Sequence, residues 1–194
     1  MVMSIPFGYL FGAAWVLWLV YWGVSAANVK QATRVESALS RFGKYALPLM
    51  VAVWLMIAGR TFAGTLLGER FVPALEWVAW LGFILTLAGL AFACWARVVL
   101  GRNWSGVVQL KQDHELIVRG PYSIVRHPIY TGLLLAFLGS ALAIGEWCAL
   151  LATAIVAVSF WRKLRLEERW MRELFGEQYL NYMHRVKALV PWVL

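Results

Sequence analysis

Two short polar clusters in an otherwise apolar chain carry the residue types that chemistry needs. The first runs from Gly101-Arg102-Asn103-Trp104-Ser105-Gly106 to Gln109, continues through His114-Glu115-Leu116-Ile117 and Arg119-Gly120-Pro121-Tyr122, and ends in Arg126-His127-Pro128-Ile129-Tyr130. The second is Arg162-Lys163-Leu164-Arg165-Leu166-Glu167-Glu168. Pro128 suits the first turn of a helix, where its missing N–H would be unpaired anyway. His127 then stands at the helix start, where free backbone N–H groups favour an anion or another hydrogen-bond acceptor. Arg126 and His127 suit the plain capping of a membrane helix equally well. In the second cluster Lys163 and Glu167 are four apart, as are Glu168 and Arg172, the spacing of ordinary helix-surface pairs worth about 0.3 kcal/mol each. Two adjacent carboxylates with three cations just upstream are nevertheless more charge than the exit of an apolar helix needs. Together the clusters suit a ligand that carries a positive centre and a carboxylate.

Several reaction classes lack their residues. There is no G-x-G-x-x-G for a dinucleotide and no G-x-x-x-x-G-K-[ST] for a nucleoside triphosphate. The histidines, His114, His127 and His184, do not have the spacing of paired metal ligands, so no metal is expected. Without G-x-S-x-G, or a Cys beside a His, acyl-enzyme chemistry has no support. Group transfer without a protein nucleophile is what remains.

The elements that must position these clusters are membrane helices. Of the 194 residues 62% are hydrophobic and 14% charged, well away from the rough half and quarter of a soluble domain. A spanning helix takes about 20 apolar residues. Three runs qualify: residues 5–27, 45–67 and 71–100. The first has no positive stretch before it and is too long for the core of a signal peptide, so it counts as a span. A fourth apolar stretch is interrupted at Gly145-Glu146 and reads as a hairpin of two short spans, 128–144 and 147–166. The expectation is an all-α integral membrane protein of one domain over 1–194, with five spans. A cytosolic loop carrying the first polar cluster would cover 101–127 and an interfacial amphipathic helix 167–190. Four spans, with one long tilted helix at the end, is the alternative. The spacings Gly8-x-x-x-Gly12 and Gly64-x-x-x-Gly68 are candidates for helix packing or dimerisation. Cys94 and Cys148 lie inside apolar runs and read as small hydrophobes, not as a disulfide.

Orientation follows from the cations. With the amino terminus outside, five spans leave only Arg60 and Arg70 outside and the other sixteen of the 18 Lys and Arg inside. That split is what the positive-inside rule expects. The net charge of +8 is thereby topological, and no basic stripe with interleaved aromatics argues for nucleic acid. The absence of further spans before the first points to a prokaryotic inner membrane.

The run R-H-P-I-Y-T-G at 126–132, then E-E at Glu167-Glu168, then F-G-E-Q-Y-L-N-Y at 175–182, resembles the isoprenylcysteine carboxyl methyltransferase family. The wider membrane methyltransferase group, which includes phospholipid N-methyltransferases, shares much of this pattern. The likeness covers residues 103–194. It implies an S-adenosylmethionine-dependent methyltransferase with its cofactor site at the inner face and a lipophilic or prenylated acceptor held from the membrane. By position, Gln109, His114, Glu115, Leu116, Ile117, Tyr122, His127, Pro128, Ile129 and Tyr130 match residues that enclose the cofactor, and Glu167 matches its acidic contact. The family has an Arg four residues before that Glu, associated with the methyl-accepting carboxylate. Here the residue is Lys163, a point charge in place of a bidentate fork. The resemblance thus implies a catalytic set of Lys163, Arg126 and Glu167, with Lys163, helped by Arg126 or Arg165, steering an anionic acceptor. Alternatives within the group are an amine acceptor, as in phospholipid N-methylation, or a small thiol. Outside it stand a non-catalytic membrane assembly protein and a relative of membrane sterol reductases.

Overall fold

The computed structural model describes residues 5–26, 32–35, 37, 39, 42–101, 104, 109–111 and 116–193. Its helices are α1 (Ile5–Ala26), α2 (Leu47–Ile57, entered through a π-helical turn over Phe42–Ala46), α3 (Glu76–Leu100), α4 (Pro128–Ile144), α5 (Trp147–Phe175) and α6 (Glu177–Arg185). Three of them, α1, α3 and α5, are long and apolar enough to cross a membrane, while α2 with its lead-in and α4 are shorter apolar helices. The chain is not purely helical. A two-stranded antiparallel ribbon pairs β1 (Ala32–Val35) with β2 (Gln109–Lys111), so the segment after α3 returns to the loop after α1.

Element boundaries depart from the hydropathy runs where the backbone is punctuated. The second run does not stay helical to residue 67: α2 stops at Ile57, and 3-10 turns follow at Gly59–Phe62 and Leu66–Gly68. Gly64 between them takes φ +80, which a helix cannot use. In the third run the helix starts at Glu76 instead of residue 71, because Pro73 favours extended backbone just before it. Residues 167–175 belong to α5 and not to a separate interfacial helix: Leu, Arg, Glu and Met continue the helix without a breaker until Gly176, at φ +53, ends it. Beyond it the short α6 follows, and then a tail of bends and turns in which Lys187 bridges to Val125.

The expected break at Gly145-Glu146 is present. Gly145 takes φ +74 between α4 and α5, and the segment 69–71 caps the hairpin. Phe71 N–H donates to the Gly145 carbonyl at 2.9 Å, Trp147 N–H to the Glu69 carbonyl at 3.1 Å, and Arg70 Nη1 to the Ile144 carbonyl at 2.9 Å.

The helix pair nearest the polar clusters is α3 with α4, held by backbone contact. A Cβ on Gly82 would stand 2.5 Å from the Gly139 carbonyl oxygen, and one on Gly132 would stand 2.5 Å from that of Gly89. Seven-residue spacing places Gly82 and Gly89 on one face of α3, and Gly132 and Gly139 on the facing side of α4. Small residues of this kind let membrane helices approach where lipid supplies no hydrophobic drive between them. Gly8 and Gly12 do not take part in packing within the chain, for a Cβ on either meets nothing within 4 Å. Polar groups buried at this contact are satisfied: the Trp15 indole donates to Ser140 Oγ at 3.2 Å, Ser140 to the Ala136 carbonyl at 2.9 Å, and Thr86 to the Gly82 carbonyl at 2.9 Å. The hairpin α4–α5 packs through Phe137, Cys148, Ala152 and Val156 against Ala52 and Leu55 of α2. Both cysteines are free thiols.

Candidate active site

The loop entering α4 and the charged stretch of α5 meet at one end of the bundle. Tyr130, in the first turn of α4, donates its hydroxyl to Glu167 Oε1 at 2.6 Å. His127, which caps α4, places Nδ1 3.6 Å from Glu167 Oε2 and Nε2 3.2 Å from Glu168 Oε1. Arg126 closes on Glu168 Oε1 through Nε at 2.9 Å and Nη2 at 2.6 Å. Spacing explains the convergence: residues 126, 127 and 130 occupy the cap and first turn of one helix, and consecutive positions 167 and 168 on α5 divide between them. The rings of His127 and Tyr130 stack at 5.6 Å, and Phe160, two turns before Glu167, lies 4.9 Å from Tyr130. Lys163, one turn before Glu167, holds its ammonium 5.5 Å over the Tyr130 ring and 5.8 Å over that of Tyr45.

The tail after α6 holds this cluster from behind. Arg126 N–H and His127 N–H donate to the Lys187 and Ala188 carbonyls at 2.8 and 3.0 Å, and Thr131 Oγ1 to the Leu189 carbonyl at 2.7 Å. Arg126 Nη1 donates to the Val186 carbonyl and, at 3.3 Å, to that of Met183. With Glu168 also paired, both Nη atoms and the Nε of Arg126 have partners. Leu164, Ala188 and Leu189 seal the cluster beside Tyr130. None of these tail contacts is visible as a motif; the apolar A-L-V at 188–190 is their sole trace in the sequence.

Burial and charge sort the groups. Burial works against a charged His127, but hydrogen bonds and charge from Glu167 and Glu168 outweigh it and hold its pKa above the ordinary value. A doubly protonated imidazole has a donor for each carboxylate. Burial, reinforced by the charge of Glu167, pushes the Tyr122 phenol well above its ordinary range, so it stays neutral. Tyr122 sits in the 3-10 turn Gly120–Ser123 and receives the Tyr182 hydroxyl on its carbonyl at 2.5 Å. Glu168 is buried, with 6% of its side chain exposed, whereas Glu167 keeps 24%. Of the two carboxylates, Glu167 is the more open.

The other residues expected at the site fall as follows. Pro128 is buried and Ile129 half-buried at the head of α4, and Leu116 and Ile117 are half-buried on the approach to the Gly120 turn. Gln109 is described through its backbone, paired with Val35 in the ribbon. His114 and Glu115 lie outside the described residues. Sequence reasoning missed Arg97, which the fold buries beneath Trp104 at the inner end of α3.

A bundle of apolar helices that gathers a carboxylate, an imidazole and a phenol at one end has the make-up of an integral membrane protein with a polar cluster at its rim. The sequence model of the phospholipid methyltransferase family matches residues 77–178, just over half of the chain, and the chain belongs to that family. The chain is 28% identical over 155 residues to protein-S-isoprenylcysteine O-methyltransferase B of Arabidopsis thaliana, covering 77% of this chain and 74% of that protein. The Schizosaccharomyces pombe protein-S-isoprenylcysteine O-methyltransferase is 28% identical over 171 residues, covering 81% and 72%. Other matches take in less of the relative: 61% of the Arabidopsis form A over 120 residues, and 45% of the Rattus norvegicus enzyme, to which the chain is 30% identical over 132 residues. Among solved structures, the eukaryotic intramembrane Ras methyltransferase ICMT superposes with a TM-score of 0.67 at 20% identity, covering 99% of this chain and 70% of that one. The resemblance read from R-H-P-x-Y and E-E thus holds.

Proposed function

We propose that the chain is an integral membrane methyltransferase that uses S-adenosylmethionine and methylates a carboxylate on a lipophilic acceptor of the isoprenylcysteine type. The observation that carries the reading is the direct contact of the R-H-P-x-Y segment with the acidic pair, at the 2.6 Å hydrogen bond from Tyr130 to Glu167. The names of the relatives support the substrate class.

The residues present fit the methyl donor. A partly exposed carboxylate, held at the edges of the Tyr130 and His127 rings, suits a sulfonium cation and the hydroxyl or amino groups attached to it. Glu167, Tyr122, His127 and Tyr130 would hold it, with Pro128, Ile129, Leu116 and Ile117 as apolar walls and Gln109, His114 and Glu115 from the preceding segment. Bound there, S-adenosylmethionine supplies an electrophilic methyl group. The protein's own tasks are alignment and exclusion of water. Tyr130 and His127 fix the Glu167 carboxylate; Arg126, tied to Glu168 and the tail, fixes His127 in turn. Lys163 supplies positive charge one turn away. An acceptor carboxylate is already ionised at neutral pH, so these residues would have to orient it and would not have to take a proton from it.

The state of His127 separates the acceptors. An ammonium must lose a proton before attack, and His127 is the histidine at the site that would take it. Its ring nitrogens face Glu167 and Glu168, whose hydrogen bonds and charge outweigh burial and raise its pKa, which favours a proton donor there over a free base. A carboxylate acceptor needs no base. Five spans, with the amino-terminal end outside and the site inside, complete the reading; the shorter apolar helices α2, with its lead-in, and α4 would cross beside α1, α3 and α5.

The test is methyl transfer from labelled S-adenosylmethionine to N-acetyl-S-farnesylcysteine, to lipid amines and to small thiols. Transfer to the first alone is expected. Glu167→Ala should weaken S-adenosylhomocysteine binding about tenfold or more, as loss of a charged partner does. Equal affinity in both proteins would remove Glu167 from the donor site.

A further inference from the structure

Among the described residues, Arg97 is the buried cation to which the chemistry above assigns no task. It stands in the last turn of α3 with 4% exposure. Nη1 donates to the Gly101 carbonyl at 2.7 Å, Nη2 to the Ser25 carbonyl at the end of α1, and the guanidinium carbon lies 4.5 Å over the Trp104 ring. Nε is fully buried and has no acceptor. Arg126 meets Glu168, but no described carboxylate pairs with Arg97. Carbonyl dipoles and an aromatic face lower the cost of a buried cation without neutralising it, and buried donors are ordinarily paired. Capping of α3 through the Gly101 carbonyl accounts for Nη1 alone.

Two further observations point the vacant edge at a ligand. The Trp18 indole N–H, on the face of α1 that packs against Leu90 and Ala93, is also buried without an acceptor, so two orphaned donors lie along one seam between α1 and α3. The inner turns of α3 also adjoin the site: Val99 and Trp95 lie against Gly120, and Tyr122, two residues on, is in electrostatic range of both Arg97 and Glu167. A guanidinium edge in an apolar seam beside a methyl-transfer site suits a carboxylate, which it can grip with two parallel hydrogen bonds. Both the acceptor and the amino-acid part of the donor carry one. The seam borders α1, most of whose surface faces outward as lipid contact, and so favours the acceptor.

We propose, resting on the carboxyl-methylation reading above, that Arg97 binds the carboxylate of the lipophilic acceptor and selects acidic acceptors over neutral ones. This role answers the loss of a bidentate fork at Lys163.

The full chain in lipid nanodiscs tests it with N-acetyl-S-farnesylcysteine, its methyl ester as a neutral competitor, and S-adenosylhomocysteine. For Arg97→Gln, KM for the acid should rise about tenfold or more with kcat within about twofold, and affinities for ester and S-adenosylhomocysteine should not change. Arg97→Lys keeps the charge but loses the fork; it should raise KM by a smaller factor, and it carries the test if Arg97→Gln does not fold. An unchanged KM, equal weakening of acid and ester, or a loss confined to S-adenosylhomocysteine would overturn the assignment. If the native protein methylates no prenylcysteine, the carboxyl-methylation reading falls first. If it does and the acid-to-ester preference survives in both variants, only the role of Arg97 falls.

Discussion

Glu167 and Glu168 are neighbours in sequence with opposite surroundings. Glu168 is buried against the Arg126 fork and the His127 ring, while Glu167 leans on one phenol and keeps a quarter of its side chain open. The first is closed off by its partners, and the second is the one the proposed methyl donor would reach. Arg126→Ala would leave Glu168 buried beside His127 alone, a loss of about 3–5 kcal/mol for a broken buried pair. A clear fall in the unfolding midpoint in detergent is expected, larger than for Lys163→Ala. His127 adds a pH dependence whose sign follows from its pKa. The folded value lies above the ordinary 6.5, so its contribution to stability is complete below about pH 6.5 and is lost as pH rises through the raised folded value. The unfolding midpoint should decline on that alkaline side, and His127→Gln should flatten the decline; a parallel pH profile in the variant would refute the assignment.

At the scale of elements, glycine spacing decides what meets what. The stripes Gly82/Gly89 and Gly132/Gly139 bring the backbones of α3 and α4 into contact, and α4 carries His127 and Tyr130 at its head. Gly89→Leu forces a side chain into the Ala136 backbone, while Gly12→Leu faces open space. The first should destabilise by about 1–3 kcal/mol or more and reduce donor binding, and the second should change neither. Thermal scans with S-adenosylhomocysteine titration distinguish them. Length and hydropathy were enough to locate α1, α3 and the α4–α5 hairpin. They were not enough to end α2 at Ile57, because an apolar run keeps its hydropathy through turns at Gly59, Gly64 and Gly68. Nor could they show that α5 carries its charged stretch as one helix to Phe175, since amphipathic and apolar helices join without a breaker between them.

For the whole molecule, topology places the chemistry. Under the proposed five-span arrangement the hairpin-capping segment at residues 69–71 and the charged end of α5 lie on opposite sides of the bilayer. A single cysteine at Glu69 and another at Glu173, in a background with Cys94 and Cys148 replaced by Ala, should react with an impermeant maleimide from opposite faces of sealed vesicles. Labelling of both from one face would overturn the arrangement.

Sequence alone determined that this is a membrane protein, where its charges gather, and which motif residues could serve a methyl donor, because each of those rests on composition, charge side or local spacing. Only the tertiary structure decided that Arg126 is closed by Glu168 and the tail at residues 186–189, that Glu167 is the more open of the two carboxylates, and that Arg97 is buried with no carboxylate partner among the described residues. Those distinctions depend on which groups distant in sequence are brought within hydrogen-bond reach, and no local pattern of residues encodes that distance.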